Sequence, residues 1–90
     1  MPARNPDLDP LRERIVKYIN EHASGVFWVR DVFDAMNVMR TDMQKPEEKC
    51  IDCMIRSLKK QGYIHCCEKR GNHRQYITLK RIVFADVIMS

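Results

Sequence analysis

Lysines and arginines are concentrated in the second half of the chain, where they could form a binding surface. Residues 45–81 contain ten Lys/Arg and four Asp/Glu, which gives a net charge of +6. Residues 1–44 contain six Lys/Arg and seven Asp/Glu, which gives a net charge of −1. A basic excess confined to one stretch is typical of a face that binds a polyanion. The alternative is a solvated basic surface that keeps the protein soluble, so the placement of the cations has to decide.

Four cysteines form the second candidate set. Cys50 and Cys53 fall one turn apart on a predicted helix, and Cys66 and Cys67 are neighbours on a predicted strand, where their side chains would point to opposite faces. One zinc ion could hardly gather all four thiolates, so we predict no metal site. Cys50 and one cysteine of the adjacent pair suit small apolar core positions. Cys53 is predicted to be exposed, and nearby cations would favour its thiolate form, as in a redox sensor.

Length and composition favour a single globular domain, since the chain has 90 residues, of which 44% are hydrophobic and 31% charged. No apolar run approaches the roughly 20 residues of a membrane helix, and the polar start shows no signal peptide, so we expect a cytoplasmic protein. His65 and His73 lie near two cysteines, but no acidic residue to orient an imidazole and no phosphate-binding glycine loop is evident. We therefore predict neither an enzyme nor a cofactor.

Hydrophobic periodicity predicts three helices. The first is capped by Asp9, starts at Pro10 and ends near residue 22. The second covers residues 29–36, and the third runs over residues 46–61 and ends at Gly62. Residues 37–45 have no clear period and are predicted to form a loop. The buried stripe of the third helix, spaced i, i+3, i+4, i+7, consists of Ile51, Met54, Ile55 and Leu58.

Strand signals surround the helices. Residues 26–28 read as a brief strand, and residues 63–68 and 73–79 as a hairpin around a turn at residues 69–72. This divides the chain into a flexible arm (1–7), a domain (8–80) and an apolar tail (81–90). The tail either packs on the first helix or joins two copies in a homodimer. Its apolar residues are Val83, Phe84, Val87 and Ile88.

The order helix, short strand, helix, helix, hairpin resembles the winged helix-turn-helix superfamily, and small bacterial or phage transcription regulators most of all. The most specific part is the third-helix ending, Ile55-x-x-Leu58-x-x-x-Gly62-Tyr63-Ile64. The segment Phe27-x-Val29-Arg30-Asp31-Val32-Phe33 is similar to the strand and first helix of that unit. The resemblance covers about residues 8–79 and implies an α+β fold with a C-terminal hairpin wing. The loop at 37–45 is longer than the usual turn of this motif.

The resemblance implies sequence-specific binding of double-stranded DNA by a small transcriptional regulator. Its third helix would enter the major groove, and its wing would lie on the backbone or in the minor groove. On a wheel of about 100° per residue, the side opposite the buried stripe carries Lys49, Cys53, Arg56 and Lys60. Asp52 could accept from a cytosine amino group, but an ion pair with Arg56 at i+4 is favoured. The predicted DNA-binding residues are Lys45, Lys49, Asp52, Cys53, Arg56, Lys59, Lys60, Lys69, Arg70, Asn72, His73 and Arg74.

Two other functions are compatible with the same pattern. Winged-helix domains also serve as protein-interaction modules, because a fold does not dictate a function. A zinc- or redox-responsive DNA-binding protein would use the four cysteines in addition to the basic face.

Overall fold

The computed structural model describes residues 6–21, 25–43, 45–71 and 73–88. Its strands form one antiparallel sheet of order β1-β3-β2, so the described chain has an α+β fold with four α-helices and three strands. In chain order the elements are a 3-10 turn (Pro6–Leu8), α1 (Asp9–Glu21), β1 (Val26–Trp28), α2 (Val29–Ala35), α3 (Pro46–Lys60), β2 (Ile64–Arg70), β3 (His73–Thr78) and α4 (Phe84–Ile88).

The three predicted helices, the brief strand and the hairpin are confirmed, with small changes at their ends. The strands of the hairpin extend to Arg70 and from His73, so the turn between them is shorter than the predicted 69–72. Pro6 and Asp7, at the end of the predicted arm, belong to the 3-10 turn, and residues 1–5 lie outside the described residues. The described part of residues 37–45 holds turns and irregular backbone, as expected for a loop.

Helix α3 contacts α1, α2 and β2. Its predicted stripe is buried, and Ile51 and Leu58 have no solvent exposure. The i, i+3, i+4, i+7 spacing puts these side chains on one side, which leaves the opposite side of α3 free for solvent or a ligand. The core also contains the apolar face of α2 and residues of α1 and the sheet, including Ile15, Ile19, Val32, Phe33, Phe27 and Tyr76.

Helices α2 and α3 both end in a left-handed residue that the local sequence supplies. Gly62, at φ +87°, follows α3, and the N–H groups of Gly62 and Tyr63 donate to the carbonyls of Lys59 and Leu58. Asn37, at φ +59°, ends α2 in the same way. These are Schellman endings, in which glycine or asparagine tolerates the positive φ. They fix the directions in which the hairpin and the long loop leave their helices.

The C-terminal tail packs on the domain, which is the first of the two arrangements expected from the sequence. The Asn20 side chain donates to the Ile82 carbonyl and accepts from its N–H group, both at 2.9 Å. Ile82 and Val87 belong to the core, whereas Val83 is 51% exposed. Val87 is therefore occupied within its own chain, so a dimer through the predicted tail residues would have to use other side chains. Among the described residues, no helix has the length and apolar character to cross a membrane.

Candidate nucleic-acid interface

A groove of about 700 Å³ lies between α3, the β2–β3 hairpin and the loop that follows α2. It is lined by side chains from residues 48–56 of the helix, residues 69–76 of the hairpin and residues 40–42 of the loop. Six of the predicted DNA-binding residues line it: Lys49, Asp52, Cys53, Arg56, Lys69 and Arg74.

The other predicted DNA-binding residues are placed elsewhere. Lys45, Lys59 and Lys60 are exposed at the two ends of α3, outside the groove, as are Arg70 and His73 on the hairpin. Asn72 lies outside the described residues. Within the long basic stretch, only residues from the first three turns of α3 and from one face of the hairpin therefore line the groove.

A β-bulge at Cys67 decides which hairpin cations face the groove. Cys66 pairs with Tyr76 and Glu68 with Gln75, so Cys67 is an extra residue without a partner on β3. Because strand side chains alternate between faces, this insertion moves every later side chain of β2 to the opposite face. Lys69 consequently shares the face of the buried Tyr76 and lines the groove, whereas Arg70 points away.

The bulge also sets two cations directly opposite each other. Lys69 is the partner of Arg74 in the β2–β3 register, and both line the groove. Like charges at facing positions destabilise a hairpin unless an anion lies between them. Arg70, on the other face, is instead held by Glu68, with 2.7 Å between its Nε and the carboxylate oxygen. Lys69 and Arg74, in contrast, form no ion pair with a carboxylate among the described residues.

The predicted ion pair between Asp52 and Arg56 is wrong. Asp52 instead accepts from Arg40, with 3.4 Å between the guanidinium Nη2 and the carboxylate oxygen. Arg40 stands in the long loop, 12 residues away in sequence, and it reaches α3 because the loop folds over the first turns of that helix. Arg40 and Thr41 line the groove and were both missed by sequence reasoning; the unusual length of the loop was the available signal.

Glu48 anchors this loop to the start of α3. Although it is a carboxylate, Glu48 is only 3% exposed, and it accepts from the Thr41 hydroxyl at 2.7 Å and the Lys45 N–H at 2.8 Å. It also accepts from the Thr41 N–H. The hydrogen bonds from Thr41, hydroxyl first, hold the pKa of Glu48 below its usual range in spite of its burial. A glutamate in the first turn of a helix would by itself only complement the helix dipole.

We expect Glu48→Gln to destabilise the protein at neutral pH, with a loss that fades in acid. A carboxyl whose pKa is lowered by folding stabilises the folded state above its ordinary pKa of about 4.5 and loses that effect as the pH falls through the lower value. Urea unfolding of both proteins across that range measures this. The matched control is Glu47→Gln, on the exposed neighbouring carboxylate. If the difference in the free energy of unfolding between Glu48→Gln and wild type stays constant as the pH falls, the anchoring role is contradicted.

The four cysteines do not converge. Cys50 is buried on the α1 side of α3, Cys53 is exposed in the groove, Cys66 is half-buried and Cys67 is exposed at the bulge. All four are free thiols, and no three His, Cys, Asp or Glu side chains within the described ranges gather as metal ligands. Burial raises the pKa of the Cys50 thiol, which disfavours the thiolate that a metal needs.

Comparison of the chain with protein-family models, with curated proteins and with solved structures found no significant match. The functional argument therefore rests on the groove itself.

Proposed function

We propose that this chain is a winged-helix protein that binds double-stranded DNA, as a small transcriptional regulator would. Helix α3 enters the major groove, and the β2–β3 hairpin lies along the backbone or in the minor groove. The observation that carries the proposal is the groove in which Lys49 and Arg56 of the helix face the opposed cations Lys69 and Arg74 of the hairpin. Five cations line the groove against the carboxylates of Asp42, Glu48 and Asp52, and a phosphodiester backbone would balance the positive charge that is left over.

The exposed side of α3 has suitable dimensions and chemistry for direct readout. The helix has 15 residues, which corresponds to a length of about 22 Å, and a helix fits the major groove of about 12 Å width. Arg56 is exposed in the groove, and its fork of N–H donors can bind the O6 and N7 atoms of a guanine. Lys49 is exposed on the side of α3 opposite the core and is suited to binding a phosphate.

The hairpin supports the same function through positioning. Cations near the turn of a hairpin can contact a phosphate backbone or enter a narrow minor groove. Since Arg70 is paired with Glu68 and points away from the groove, Lys69 and Arg74 replace it as the principal hairpin contacts in the proposal. Lys59 and Lys60 remain candidates for peripheral phosphate contacts at the end of the helix.

Two cysteines provide a direct test, because one lies inside the groove and the other outside it. Cys53 and Cys67 are both exposed, so iodoacetamide should alkylate both in the free protein. We expect a random-sequence duplex at low salt to slow alkylation of Cys53 several-fold and to leave Cys67 unchanged. Peptide mass spectrometry measures both rates in one sample, so Cys67 is an internal control.

Raising the salt concentration should abolish the protection of Cys53, because counterion release dominates binding to the backbone. The proposal is overturned if the duplex is not retained at low salt, or if Cys53 and Cys67 react equally fast with and without DNA. Protection of Cys67 alone would place the nucleic acid on the opposite face of the hairpin and would also contradict the proposed docking.

A further inference from the structure

The loop after α2 presents a further cation at the edge of the groove. Arg40 lines the groove together with the four cations of α3 and the hairpin, although it lies outside the continuous basic stretch of the sequence. Its side chain is 48% exposed, so it can reach both the protein and an incoming ligand.

The backbone on either side of Arg40 is fixed. Two residues before it, the Val38 N–H donates to the Phe33 carbonyl in the ending of α2, and Val38 is half-buried. One residue after it, Thr41 is bound by the buried carboxylate of Glu48 through its hydroxyl and N–H. A side chain that is presented from a fixed backbone loses less entropy when it binds.

The guanidinium of Arg40 is also oriented. It lies over the Phe33 ring, 4.7 Å from the ring centroid, which favours a flat arrangement of the cation on the aromatic face. Its one ion pair in the described chain, with Asp52, uses a single Nη at 3.4 Å. A guanidinium has five N–H donors, so this ion pair leaves most of them for another acceptor. An exposed ion pair of this kind is weak and readily exchanged.

We propose that the loop after α2 is a third DNA-contacting element of this protein, in which Arg40 binds a backbone phosphate next to those contacted by α3. The inference rests on the proposed function and deepens it, since it adds the loop to the helix and the hairpin. When DNA binds, the guanidinium exchanges its long bond with Asp52 for a phosphate oxygen and keeps its place over Phe33. The long connection after α2 is thereby part of the binding surface.

The test is the salt dependence of duplex binding by single variants. Each phosphate contact contributes about 0.9 to the slope of log K against log salt, so between about 50 and 200 mM salt one contact changes affinity roughly threefold. The measured quantity is the ratio of the Kd at about 200 mM salt to the Kd at about 50 mM salt, and this ratio should be about threefold smaller for Arg40→Gln than for wild type. Arg40→Lys, which keeps the charge, should restore the ratio. Fluorescence anisotropy with a random-sequence duplex measures all of them.

Two controls separate the possible failures. Arg14→Gln removes the same charge from the exposed side of α1, outside the groove, and should leave the ratio unchanged. Arg56→Gln reports on the proposed function itself. If Arg56→Gln weakens binding while Arg40→Gln retains the wild-type Kd values and ratio, the role of Arg40 is overturned and the proposed function stands. If wild type does not bind the duplex, or if Arg56→Gln has no effect, the failure is that of the proposed function, and the role of Arg40 falls with it.

Discussion

Reversing one charge on each wall of the groove, as in Arg56→Glu with Lys69→Glu, is expected to weaken binding of duplex DNA about 100-fold or more. Loss of an arginine that reads a base costs about 1–3 kcal/mol, and loss of a phosphate contact weakens binding to every sequence. The new carboxylates also repel the phosphates. The measurement is fluorescence anisotropy of a short labelled duplex at fixed low salt.

The double variant should remain folded, which makes its loss of binding interpretable. Both side chains are exposed, and a glutamate at position 69 would face Arg74 across the hairpin and relieve the repulsion between two cations. The matched control is Arg14→Glu with Lys17→Glu, which makes the same change in net charge on the exposed side of α1. If both double variants lose affinity equally, binding depends on net charge alone, and the groove has no special role.

The second large effect is expected in the core beneath the groove. Ile51→Ala should lower the free energy of unfolding by about 2–5 kcal/mol, because it removes a fully buried side chain and leaves a cavity. Ile51 is the first residue of the α3 stripe, and it belongs to a core cluster that includes residues of α1 and α2. In a small domain this is a large part of the total stability. Urea unfolding followed by circular dichroism measures it.

Val83→Ala is the comparison for the core variant, since Val83 is also apolar but is 51% exposed. Surface changes of this kind usually alter stability by less than about 0.5 kcal/mol. A loss below about 1 kcal/mol for Ile51→Ala, or equal losses for the two variants, would contradict the burial of the α3 stripe in the core.

Local sequence was sufficient for most of the fold. The end of α3 was predictable because Gly62 can take the positive φ that a Schellman ending needs, and the stripe that contains Ile51 and Leu58 has a purely helical spacing. The start of α3 was predictable from Pro46 for a similar reason. These signals act within one or two helical turns, so they can be read without knowledge of the rest of the chain.

The candidate site was only partly predictable, because its selection depends on contacts between distant residues. An i, i+4 rule favoured Arg56 as the partner of Asp52, but the loop brings Arg40 to it from 12 residues away. The burial of Glu48 could not be foreseen, because a carboxylate is buried only when donors such as those of Thr41 are folded against it. The packing of the tail on its own domain likewise depends on a distant contact, because Asn20 binds Ile82 across 62 residues.

A basic α3 with one buried side, followed by a basic hairpin, can be read from the sequence, since helical period, turn residues and charge are local properties. Which of the cations share one groove depends on the tertiary fold. The bulge at Cys67 turns Lys69 rather than Arg70 toward the helix, and the Glu48 anchor brings Arg40 to the same groove. The physical reason is that strand register and loop placement are set by pairing and burial across the whole chain, and a shift of one residue reverses the face on which a side chain lies.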